Sequence, residues 1–333
     1  MSLAKSARFA ALLLGGIAVA VAPAFSEELI DELKKVPYKI VYESHQDENW
    51  DLFMIHADGS GRVNLTKTPK VNELYPHVSP DGKQISFTID AGEGDNKTRA
   101  LYLMNFDGTG RRLVAQDARD GCWTSDGKSL VYLKNEFEKL ALMDYVTKGV
   151  LRYDLATGKV EEHPNRELSH LYCICCTPDG KWYVSTIHSG MGYSHGILAI
   201  EARGQRVVKL NIPGCRPDVS ADGKRIAWAS GDFSLSIGDL DLSGPEPRVL
   251  NVRNVVVSSK PIKVQHVDWS PDGRYVAFSY GVYKKGLGLA PTLVGVRAPG
   301  WNIAVADATT TNRWVAITTD GNSNKEPDWM SAP

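Results

Sequence analysis

The sequence predicts an all-β fold, a six-bladed β-propeller of four-stranded antiparallel blades, and three observations carry that prediction. The first is a hairpin signature, clearest in His266–Tyr280, where a strand ending at Trp269 meets the turn Pro271-Asp272-Gly273 and resumes as an alternating run from Tyr275. Proline presets one turn dihedral, glycine supplies a positive φ, and β-branched or aromatic flanks favour strands. The second is repetition. Turn glycines 82, 127, 180, 223 and 273 lie 45, 53, 43 and 50 residues apart, the period of a blade plus variable loops. The third lies at the chain ends, where three strands before the first turn lack a partner and Glu326-Pro327-Asp328-Trp329 repeats a pre-turn strand and then stops.

Residues 1–26 carry Lys5 and Arg8, an apolar run from Phe9 to Val21 and the cleavage candidates Ala22-Pro23-Ala24 and Ala24-Phe25-Ser26, which is the pattern of a cleaved secretory signal peptide and is too short for a membrane span of about 20 residues. The expected location is therefore periplasmic or otherwise exported. Without that segment 36 basic residues face 39 acidic ones, a formal charge of −3, so the clustered cations that nucleic-acid binding needs are missing. Residues 27–37 form a lead-in, with apolar positions 29, 30 and 33 at helical spacing. Residues 38–333 are assigned to the propeller. Strands from Tyr38, Trp50 and Val63 open it as the second, third and fourth strands of a blade whose first strand is the C-terminal one. Closing the ring this way hides the edges of the terminal blades. The remaining blades each start with an apolar strand before the turns Pro80-Asp81-Gly82, Ser125-Asp126-Gly127, Pro178-Asp179-Gly180, Ala221-Asp222-Gly223 and Pro271-Asp272-Gly273.

Repeats of the form Trp-Ser-Pro-Asp-Gly-(Lys/Arg) followed by an alternating strand resemble the TolB-type periplasmic β-propeller over roughly residues 38–333. TolB itself carries an α/β domain ahead of its propeller, for which this chain has no room, so the resemblance extends to the propeller alone. It implies a soluble, exported ring and does not carry over a role in an envelope-spanning system.

In such a ring the first strand of each blade lines the axis. The residue two before the turn Ser/Thr, or its equivalent, is His77, Cys122, Cys175, Asp218, Asp268 and Asp328, and two further back stand Tyr75, Asp120, Cys173, Arg216, His266 and Glu326. Strand alternation places both sets on one side. Three readings follow for this ring: interblade hydrogen bonding, a metal site drawn from Cys122, Cys173, Cys175, His77 and His266, or a ligand funnel that includes Arg216 and Asp268. No cofactor is predicted, and a metal ion is compatible with these residue types.

Cys122, Cys173, Cys175, Cys176 and Cys215 fall in or beside three consecutive first strands. Cys176 holds the position taken elsewhere by Trp123, Trp269 and Trp329, a core position. Disulfide candidates are therefore Cys122, Cys173, Cys175 and Cys215, against inert buried thiols or a soft-metal or reactive site. Gly192-Tyr193-Ser194-His195-Gly196 matches a nucleophile elbow, but that motif works on a strand-to-helix turn, so His188, Tyr193 and His195 are read instead as a ligand-contacting loop at the channel mouth.

Extra length concentrates in 90–98, 134–148, 187–195 and 281–301, which all belong to one face. Surplus loops on one face mark where a partner binds. The segment 284–300 is apolar enough to be either a flap over the ring or a docking surface, and Glu136–Tyr145 has the same two readings with one or two helical turns. The expected function is a non-catalytic propeller that binds another exported or envelope protein through loops 134–148, 187–195 and 281–301, with no nucleic-acid partner. The alternatives are a metal-dependent enzyme at the axis, such as a lyase resembling oligogalacturonate lyases, and a sugar or small-ligand binder.

Overall fold

The structure is a computed structural model that describes residues 23–69, 71–92, 98–136, 145–282 and 290–331. The signal-peptide assignment falls mostly on residues 1–22, and the expected helical turns within 136–145 fall mostly on 137–144, outside the described residues. Six four-stranded antiparallel sheets stand among the described residues. Blade 1 combines the last strand, Ser323–Met330, with Lys39–Gln46, Asn49–His56 and Val63–Asn64. Ile40 pairs with Trp329 and Val41 with Asp328, so the C-terminus closes the ring. Blades 2 to 6 each use four consecutive strands, with inner strands Asn72–Val78, Ala118–Trp123, Leu171–Cys176, Cys215–Val219 and Ile262–Trp269.

The hairpin turns show why the motif is written as it is. Ser79 Oγ donates to Asp81 Oδ1 at 2.7 Å, and the same carboxylate accepts the Lys83 N–H at 3.1 Å. Thr124, Thr177, Ser220 and Ser270 make the same bond to Asp126, Asp179, Asp222 and Asp272. These bonds hold the Asp81, Asp126 and Asp222 carboxyls below their usual range. The glycine that follows sits at φ 65–71° in all five turns, a region that a Cβ disfavours.

The core lies between blades. Six apolar clusters each bridge two neighbouring blades. A seventh, of Trp50, Leu74, Tyr75, Tyr172, Cys173 and Val294, closes one end of the axis. The lead-in is a helix, Pro23–Leu33, which starts upstream of the expected cleavage positions. Its Leu29 and Leu33 are buried with Ile40, Tyr275 and Trp329 across the seam between blades 6 and 1. Glu32 accepts from Arg274 and Arg313 at 2.8 Å each, fixing the helix to blade 6. No helix among the described residues is long and apolar enough to cross a membrane.

Candidate functional site

Every inner strand is broken at the same place. A register shift separates the residue five before the turn Ser/Thr from the residue two before it, in Leu74/His77, Arg119/Cys122, Tyr172/Cys175, Cys215/Asp218 and Gln265/Asp268. The closing strand shows the same step between Lys325 and Asp328. In all six strands the residue four before is left-handed: Tyr75, Asp120, Cys173, Arg216, His266 and Glu326 have φ between 49 and 57°. This is a β-bulge, an extra residue that twists the strand and re-aims side chains. Strand alternation alone is therefore not what places the two sets of residues around the axis.

Left-handed φ on non-glycine residues is strained and persists only when its surroundings hold it. The holding groups are side chains of the preceding blade. Glu43 Oε2 accepts the Tyr75 N–H at 2.9 Å, Asp120 Oδ2 accepts the Cys173 N–H at 2.8 Å, and Thr186 Oγ1 accepts the Arg216 N–H at 2.7 Å. A second layer of clasps lies nearer the turns. Asp328 Oδ1 accepts from Val78 N at 2.9 Å, Asp218 Oδ2 from Trp269 N at 2.9 Å, and Asp268 Oδ2 from Trp329 N at 2.8 Å. Blades 5, 6, 1 and 2 are thus laced together by carboxylates, and the Asp328 carboxylate also meets His77 Nδ1 at 3.0 Å.

These layers bound an axial cavity of about 340 Å³. Its wall is the clasp layer and its floor is the bulge layer. Its mouth is lined by Pro80, Ser125, Pro178, Ala221 and Pro271, which belong to the short Pro-Asp-Gly turns. The sequence placed the funnel under the long loops, and the structure corrects this. The long-loop end is closed by the segment around Thr292, whose backbone carbonyls satisfy the buried cations. Thr292 O accepts from Arg216 Nη2 at 2.7 Å and lies 3.0 Å from His266 Nε2, and Leu293 O accepts from Lys325 Nζ at 2.7 Å. Val294 is fully enclosed beneath it. Within residues 290–298, Val294 and Ala298 are buried, so this part of the segment packs against the ring as a flap. Residues 283–289 of the same loop lie outside the described residues.

Of the sequence-derived ligand residues, His77, Arg216, His266 and Asp268 line this cavity. His188, Tyr193 and His195 do not. They sit toward the long-loop side of blade 4, where His188 stacks on Tyr145 at 3.7 Å between ring centroids and His195 Nε2 is 2.9 Å from Tyr172 Oη. Burial pulls both imidazoles below their usual range. Ser194 Oγ accepts from Lys209 Nζ at 2.9 Å.

The electrostatics of the cavity divide it in two. Burial pushes Asp218 up to about 7, and burial with the charges of Asp328 and Asp218 raises Asp268 far above the carboxylate range. Asp218 and Asp268 each shift the other, and two carboxyls so placed do not both ionise freely. Burial lowers His77, but the bond to Asp328 and its charge outweigh it and the net shift is upward. Deeper down, Arg216 Nη1 donates to Glu326 Oε1 at 3.1 Å, which is also 3.0 Å from His266 Nε2. Burial and the Arg216 charge hold His266 well below its usual range, so it is neutral.

The other half of the wall is sulfur. Cys122 Sγ meets Cys176 Sγ at 3.1 Å, Cys173 Sγ accepts from Arg216 at 3.4 Å, and Cys175 Sγ donates to Val184 O at 3.4 Å. All five cysteines are free thiols. Burial raises Cys122, Cys173, Cys175 and Cys215, so these thiols rest in the protonated form at neutral pH. Among the described residues no group of three or more His, Cys, Asp or Glu side chains is placed to hold a metal ion. The expected disulfide set left out Cys176, the residue that meets Cys122. Sequence reasoning also missed Lys325 and Glu43, because only the bulge brings that strand position inward.

The superposition that decides the comparison is with TolB from Acinetobacter baumannii, at a TM-score of 0.63 and 18% identity over 88% of this chain. The chain thus has the six-bladed propeller fold that TolB also contains. The chain spans 66% of that TolB, just under two thirds of its length. The structure of a nidogen/laminin complex aligns at 0.59 with 8% identity, covering 89% of this chain and 99% of that one. An oligogalacturonate lyase in complex with manganese aligns at 0.49 with 15% identity, covering 85% and 74%, too loosely to bear on chemistry. At such identities the chain shares a fold with these proteins and nothing finer. No family model and no curated protein matches the sequence.

Proposed function

We propose that this TolB-like propeller is an exported, non-catalytic binding protein that receives part of a partner protein in its axial cavity. One observation carries the reading: a blind cavity of about 340 Å³, open between the Pro-Asp-Gly turns and closed at the opposite end, with carboxyls on one wall and prolines and tryptophans at its mouth. Such a socket suits a chain segment that brings hydrogen-bond donors to Asp218, Asp268 and Asp328 and apolar contact to Trp123, Trp269 and Trp329. Against acid–base catalysis at this site, its imidazoles are tied to Asp328 and Glu326.

The test is site-directed photocrosslinking in the exporting cell, with the probe at Pro80 or Ala221 on the turn face and at Arg297 on the other. Discrete protein adducts from positions 80 and 221 support the reading. Adducts from 297 alone move the partner to the long loops, and adducts from none of the three sites overturn it.

His266 Nδ1 is buried with no hydrogen-bond partner in the structure while Nε2 is engaged. A lone pair so placed favours, as a second reading, a small hydroxyl-bearing ligand in the same cavity. Metal analysis and sugar titration, each repeated on His266→Ala, test it: an equivalent of metal or a saturable sugar signal lost in the variant would replace the first reading.

A further inference from the structure

Around the axis, three of the residues two before the turn Ser/Thr, or its equivalent, reach across to the next inner strand. Asp218, Asp268 and Asp328 do so through carboxylates. Between blades 3 and 4 the same position is Cys122, and the group it meets is the Cys176 thiol, 54 residues along the chain. The sulfurs are 3.1 Å apart, about 1 Å more than a disulfide bond. Both residues line the axial cavity, Cys122 buried and Cys176 partly exposed, so a reagent entering at the turn face reaches Cys176 first. Cys173 and Cys175 are directed elsewhere, to Arg216 and to Val184 O.

We propose that Cys122 and Cys176 are a modification site, a thiol pair that a disulfide oxidant converts into a covalent staple between blades 3 and 4. The oxidant is a small-molecule or protein disulfide of the kind an exported chain meets. The Cys176 thiolate attacks it, forms a mixed disulfide and releases one thiol of the oxidant. The Cys122 thiol then gives up its proton as it attacks the Cys176 sulfur, forming the Cys122–Cys176 bond and releasing the second thiol. Two protons pass from the protein thiols to the two departing thiolates, and two electrons reduce the oxidant disulfide to two thiols. The product puts a covalent bond where the opposite half of the ring has carboxylate clasps. It also closes a long loop, which restricts the unfolded chain.

The experiment incubates the exported chain with oxidised glutathione, then denatures it, alkylates it and maps the peptides by mass spectrometry. The expected result is three alkylated cysteines instead of five, a 122–176 cross-linked peptide that disappears on reduction, and a melting temperature roughly 3–8 °C above that of the reduced form. Cys176→Ser abolishes the link and the shift, and Cys173→Ser keeps both. Five alkylatable thiols after oxidation, or a link mapped to any other pair, overturns the proposal. Peptide mapping of the unmutated chain decides the matter even if a variant fails to fold.

Discussion

Asp218 is tied to Trp269 N, and its carboxyl is pushed up to about 7 by burial. In the unfolded chain the same group ionises near its ordinary value of 3.8. The native state therefore holds a proton that the unfolded state has released, so the stabilisation from Asp218 is complete below pH 3.8 and is lost as pH rises through about 7. Raised His77 works in the same direction above its ordinary 6.5, whereas lowered His266 works in the opposite one. Asp218→Asn keeps an acceptor for Trp269 N while removing the titration. Thermal melts between pH 5 and 8 should show the variant gaining about 3 °C on the parent as pH rises, and parallel curves would refute the assignment. At the floor, Glu326→Gln leaves the buried Arg216 guanidinium short of its counter-charge. Losing one partner of a buried pair costs about 3–5 kcal/mol, to be read by urea denaturation; a loss below about 1 kcal/mol would show that Arg216 is satisfied by its other partners, the Thr292 carbonyl among them.

At the scale of the element, the hairpins were legible because their chemistry is local. Ser79, Asp81, Gly82 and Lys83 make the turn among themselves, and the same two side-chain bonds recur in every copy. The missing first strand of blade 1 was legible for the same reason, since Asp328-Trp329 repeats Asp268-Trp269. The bulge was not. It puts Tyr75, Cys173, Arg216 and His266, which share no side-chain preference, into one backbone conformation. What enforces it are acceptors in a neighbouring blade such as Glu43 and Thr186, contacts that exist only after the ring closes. The flap was half legible: the apolar character of 284–300 showed that it packs somewhere. That its carbonyls answer Arg216 and Lys325, and so shut one end of the axis, depends on two cations distant in sequence.

At the scale of the whole molecule, a ring is only as stable as its seam, and this seam is the one between blades 6 and 1. The strand Ser323–Met330 contributes Asp328 to blade 2, receives the Asp268 clasp through Trp329 N, and supplies Lys325 to the flap and to Glu43. Trp329 is packed against Ile40, Tyr42 and the helix residues Leu29 and Leu33. Removing a buried tryptophan alone costs about 3–5 kcal/mol. Truncation after Asn324 removes that side chain, two clasps and most of an inner strand, leaving Ile40 and Val41 at an unpaired edge. A loss of this size should abolish a single cooperative melt and expose apolar surface to a hydrophobic dye. Adding a peptide with the sequence of residues 323–333 in excess should restore the cooperative transition, because the strand binds the folded ring and not the unfolded chain. A truncated chain that melts with the parent's midpoint and sharpness, with or without the peptide, would show that the seam is not closed by this strand and that the axial cavity is not built as described.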